Sequence, residues 1–105
     1  MPYTQPRRYE RVTLVLEVRW QNRSEVRAGR TGDIGMGGCF IESHAPVMVG
    51  EQILFEIRLP SGRWQLLGGE VVYYIPTIGF GIRFGHLPGL LRNVLAQVIE
   101  YARGG

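Results

Sequence analysis

Two groups of residues in this chain have types and spacing suited to chemistry. The first is Arg7-x-x-x-Arg11, in a polar stretch beside Arg8. A guanidinium is a planar fork that binds phosphate bidentately and donates to guanine O6 and N7. Two arginines four apart on an extended segment converge on one ligand if that segment wraps around it. The second is Asp33-x-Gly35-x-x-Gly38. A carboxylate accepts hydrogen bonds from the N1–H and N2–H₂ edge of guanine, and a glycine lets the backbone lie against a flat ligand. Together the two groups suit an anionic, planar, guanine-bearing ligand. The residues alone leave a second reading open, in which the arginines are a solvated basic arm and Asp33 caps a turn.

Other chemistry has less support. All twelve basic residues are arginine and none is lysine, which removes a Walker phosphate loop, a lysine Schiff base and a Ser-x-x-Lys nucleophile. Arginine in place of lysine also follows from GC-rich codon usage, so position rather than count carries the argument. His44 and His86 have no Cys, His or carboxylate neighbour at metal-ligand spacing. A Cys39–His44 dyad stands open, against the commoner case of a buried strand cysteine. Gly35-x-Gly37 begins like a dinucleotide fingerprint, but the third glycine position is Phe40 and a strand follows instead of a helix. No enzyme, metal or cofactor is expected. A net charge of +3 does not imply nucleic acid, and no basic-aromatic stripe supports it.

The elements that must hold these residues follow from periodicity. At 105 residues the chain makes one small domain. Residues 1–11 read as a polar arm and 12–105 as a barrel with a C-terminal helix. Val12, Leu14, Leu16, Val18 and Trp20 alternate with mostly polar residues, which predicts one strand over Val12–Trp20. Gln21–Ser24 predicts a turn, and Glu25–Thr31 a second strand. Gly32–Gly38, with four glycines in seven residues, reads as a loop. Further strands are expected at Cys39–Glu42, Ile53–Leu59, Trp64–Tyr74 and Phe80–Phe84, with a bulge at Gly68–Gly69. Leu87, Leu90, Leu91, Val94, Leu95 and Val98 have helical spacing, which predicts a helix over about 88–101. The expected fold is mainly β: a six-stranded antiparallel barrel with one C-terminal helix. No run reaches the ~18 apolar residues of a membrane span, and no signal segment is visible, so a cytoplasmic location is expected.

Arg7–Val12, Asp33–Ile41 and Gly79–Phe84, in this order and spacing, resemble the PilZ domain family of bacterial cyclic di-GMP receptors. The resemblance covers nearly the whole chain and implies a split-barrel type fold of the same strand order. It implies that Arg7 and Arg11 grip phosphates and guanine, that Arg8 adds a phosphate or stacking contact, and that Asp33 reads a guanine edge. Gly35 and Gly38 would form the second wall. Gly35 stands where many binders have serine. A lost hydroxyl removes one hydrogen bond, worth ~0.5–1.5 kcal/mol, so Gly35→Ser is expected to tighten binding. The length adds the expectation of a stand-alone adaptor that signals to a downstream protein in motility or biofilm control, and the polar arm with Pro2 and Pro6 is expected to order on nucleotide binding. The alternative the resemblance leaves is a pilus- or motility-related interaction module that binds no nucleotide.

Overall fold

The computed structural model of the chain describes residues 10–22 and 25–104. It contains β1 (Arg11–Thr13), β2 (Glu17–Asn22), β3 (Glu25–Gly35), β4 (Gly38–Glu42), β5 (Gln52–Arg58), β6 (Trp64–Ile75), β7 (Gly79–Phe84) and the helix α1 (Gly89–Ala102). All strand pairs are antiparallel. The order β3–β2–β5–β6–β7–β4 closes on itself through a β3–β4 pairing, giving a six-stranded barrel. The seventh segment, β1, pairs with β3 beyond the end of β2.

Alternation explains the barrel wall. Ile53, Phe55 and Ile57 on β5 are buried, as are Cys39 and Ile41 on β4 and Phe80, Ile82 and Phe84 on β7. Trp20 from β2 sets its ring edge-on to Phe80, with centroids 5.5 Å apart. Each such side chain contributes roughly 1.5–3 kcal/mol on burial.

Three expectations are corrected. The strand expected over Val12–Trp20 is two strands, interrupted at 14–16. Thr31, fully buried, bridges the break. Its hydroxyl accepts from the Leu16 N–H (2.9 Å) and donates to the Leu14 carbonyl (2.5 Å), while its own N–H donates to the Leu16 carbonyl (2.9 Å). On its other side β3 shifts register against β4 between Thr31 and Asp33. Second, the glycine-rich stretch is mostly strand, because β3 continues through Gly35. Third, Gly68 and Gly69 stay in register, and the irregularity falls between Val71 and Tyr73. The glycine at 69 instead admits a close neighbour, since a Cβ there would meet the Arg83 carbonyl at 2.5 Å.

The helix docks through Leu95, Val98 and Ile99, with Leu91 partly buried. Leu90, expected on the same stripe, is 83% exposed. The docked face is set by where α1 meets β1 and β3, and this turns Leu90 outward. Among the described residues no helix is long and apolar enough to cross a membrane.

Candidate functional site

Strand alternation places the motif residues on the outer face of the barrel. Ile34 faces inward and is fully buried, so its neighbours Asp33 and Gly35 belong to the opposite face of β3. Arg11 begins β1 directly across from Gly35, and Thr13 lies across from Asp33. The Arg11 Nη1 donates to Asp33 Oδ1 at 2.7 Å. Both side chains are largely covered, at 20% and 32% exposure, so the pair is less screened than an open surface bridge.

The glycines of the second motif are where close approach is required. A Cβ on Gly35 would collide with the Glu10 carbonyl and stand 3.4 Å from Arg11 Cγ. A Cβ on Gly38 would collide with the Ile82 carbonyl and stand 3.3 Å from Arg11 Nη2. Both residues must lack a side chain if β1, β3, β4 and β7 are to meet as they do, and the Arg11 side chain runs across them. A serine at 35 therefore does not simply add a hydroxyl, because it must first displace the start of β1.

Register extends this face sideways. Gly38 lies across from Arg83 on β7, and Arg83 across from Glu70 on β6. Arg83 Nη2 donates to Glu70 Oε1 at 2.7 Å. In the next row Asp33 lies across from Phe40, Phe40 from Gly81, and Gly81 from Tyr73. The Phe40 and Tyr73 rings stack at 6.1 Å and 20°. They lie flat on β7: a Cβ on Gly79 would meet the Phe40 ring at 2.7 Å, and one on Gly81 would collide with the Tyr73 ring. Glu10, just before β1, forms an ion pair with Arg103 at the end of α1.

Beneath the site sits Cys39. Burial pushes its thiol up to about 12, with Arg11 pulling down and Asp33 pushing up by smaller amounts. The thiol stays protonated, and His44 is exposed while Cys39 faces the core, so the dyad is not formed. Among the described residues no group of three or more His, Cys, Asp or Glu could hold a metal ion.

Of the six residues expected at the site, Arg11, Asp33, Gly35 and Gly38 come together; Arg7 and Arg8 lie outside the described residues. Sequence reasoning assigned no role to Arg83, Glu70 or Phe40. The signal was present in the strand alternation: Gly79, Gly81 and Arg83 share one face of β7 because Phe80, Ile82 and Phe84 take the other.

Comparison with known proteins agrees with this architecture. The family model of the PilZ domain matches residues 5–101. The curated proteins contain no match to the sequence. Among solved structures, the PilZ domain of YcgR from Escherichia coli with c-di-GMP superposes with a TM-score of 0.85 at 15% identity, covering 95% of this chain and 93% of that one. The inhibitor of motility MotI/DgrA of Bacillus subtilis gives 0.78 at 21% identity, covering 95% of this chain and 52% of that one. The PilZ domain of CeSA from a cellulose-synthesizing bacterium gives 0.68 at 18% identity, covering 90% of this chain and 98% of that one. This chain spans about half the length of the MotI/DgrA chain and 47% of a longer YcgR chain in complex with c-di-GMP. These likenesses carry the fold, and the match of the family model over residues 5–101 carries membership: the chain belongs to the PilZ domain family.

Proposed function

We propose that the chain is a cyclic di-GMP receptor that passes the signal to a partner protein and performs no catalysis. One observation carries this reading: Arg11 and Asp33, 22 residues apart, meet over the glycine pair Gly35 and Gly38 on one outer face. The family match supports it. So does the E. coli neighbour, which was solved with c-di-GMP.

The residues would divide the work by chemistry. Arg11 donates to a phosphate or to guanine O6 and N7, and Arg7 and Arg8 add cationic donors from the preceding segment. Asp33, held in place by Arg11, accepts from guanine N1–H and N2–H₂. Adenine has an acceptor at N1 and no amine at C2, so it would leave the carboxylate unpaired and repelled. Gly35 and Gly38, having no side chains, leave room for Arg11 to lie across them.

Calorimetric titration with cyclic di-GMP, beside GMP and cyclic di-AMP, tests the reading. Binding of cyclic di-GMP that exceeds both others supports it. Equal affinity for cyclic di-AMP removes Asp33 from its role, and no heat at high micromolar nucleotide overturns the reading. The second reading is an interaction module that uses no nucleotide. It is favoured by the fact that Arg11 and Asp33 satisfy each other without a ligand. It also fits the likeness to a protein described as an inhibitor of motility.

A further inference from the structure

We infer that Arg83 is a further phosphate-binding arginine of this site, held in the free protein by Glu70 and released to an anionic ligand. The inference rests on the cyclic di-GMP reading and deepens it.

One continuous row crosses five strands. Arg11 on β1 lies across from Gly35 on β3. Ile34 pairs with Cys39, which sets Gly35 beside Gly38 at the mouth of the β3–β4 hairpin. Gly38 lies across from Arg83, and Arg83 from Glu70. Neighbouring strands are about 4.8 Å apart, so the backbones of Arg11 and Arg83 stand roughly 14 Å apart, on either side of two residues with no side chain. Arg11 reaches across that floor and brings Nη2 close to Gly38, which lies across from Arg83, so an anion settling there meets both guanidinium groups. A cyclic dinucleotide carries two phosphodiesters, and two arginines meeting at Gly38 supply cationic donors for them.

The two arginines are held differently. Arg11 is 20% exposed and bound to the largely covered Asp33. Arg83 is 66% exposed, and among the described residues its carboxylate contact is the cross-strand Glu70. An exposed bridge is weak, and a phosphate oxygen is an equally good acceptor for the same fork. Arg83 therefore changes partner at little cost, and Glu70 competes with the ligand for it. Arg83 contributes nothing to the core, so its removal leaves the fold intact.

The experiment is calorimetry with cyclic di-GMP on the wild type, Arg83→Ala, Glu70→Gln, the double variant and Arg11→Ala, each checked by thermal unfolding. Arg83→Ala should weaken binding about tenfold, as loss of one charge-assisted contact does, with an unchanged melting temperature. Glu70→Gln should strengthen binding severalfold in the wild type and have little effect once Arg83 is alanine. If Arg83→Ala binds like the wild type while Arg11→Ala is weak, Arg83 is not in the site and the receptor reading stands. If Glu70→Gln strengthens binding equally in both backgrounds, Glu70 acts through its charge alone and does not hold Arg83. A wild type that binds no nucleotide overturns the receptor reading and this inference together.

Discussion

Arg11 does two jobs with one guanidinium. It orients Asp33 through Nη1, and it lies over Gly38 with Nη2 close to the floor. Arg11→Ala should cost ~1.5–3 kcal/mol of cyclic di-GMP affinity, because a charge-assisted contact is lost and Asp33 is left unrestrained. Arg11→Lys keeps the charge but not the fork, so calorimetry should place it between wild type and alanine. Cys39 predicts a pH effect. Its thiol ionises near 9.0 in the unfolded chain and about 12 when buried. The folded state holds the proton more tightly. This contribution to stability is therefore complete below pH 9 and is lost as pH rises toward 12, by about 1.4 kcal/mol per pH unit. Denaturant titration of wild type and Cys39→Ala across that range should show the wild type falling more steeply. Equal slopes would place the thiol in contact with water.

At the scale of elements, the site depends on how β1 seats against β3. Gly35→Ser drives a Cβ into the Glu10 carbonyl, so the start of β1 must lift and carry Arg11 away from Asp33. The expected result is a loss of ~1–3 kcal/mol in stability, typical of overpacking, together with weaker nucleotide binding, read by thermal unfolding and calorimetry. This is the opposite of what the family resemblance implies for a serine at this position. Tighter binding at an unchanged melting temperature would show that β1 has room to move. The same contrast explains what was legible in the sequence. The alternation of Ile53, Phe55 and Ile57 and the helical spacing of Leu91, Leu95 and Val98 are local signals, and they gave the barrel and the helix. The break at 14–16 depends on Thr31, half the β3–β2 hairpin away, and no local pattern carries it. Asp33 read as a loop residue because glycine density usually marks turns. Here glycines make room for backbone and guanidinium, and the strand runs on through them.

At the scale of the whole molecule, α1 packs against β1 and β3, the strands that carry Arg11 and Asp33. Arg103 reaches from its end to Glu10. Arg103→Ala should leave the barrel intact and speed amide exchange at residues 11–13. Unchanged exchange there would mean that the β1–β3 pairing alone holds the segment. The pairing of β1 also limits any ordering by ligand. Glu10 and Arg11 should be equally rigid with and without nucleotide in backbone relaxation, which leaves the expected ordering to residues 1–9, outside the described part of the chain. The aromatic pair of Phe40 and Tyr73, lying over the glycines of β7, offers a way to follow events across this face. A Gly81 α-hydrogen points into the face of the Tyr73 ring, where circulating π electrons shield it. That proton should resonate well upfield of an ordinary glycine. Phe40 links Tyr73 to Asp33 along one row. A nucleotide pressing on Phe40, or a partner tilting Tyr73, would move this single resonance, so one-dimensional proton spectra could register an event at the motif from two strands away.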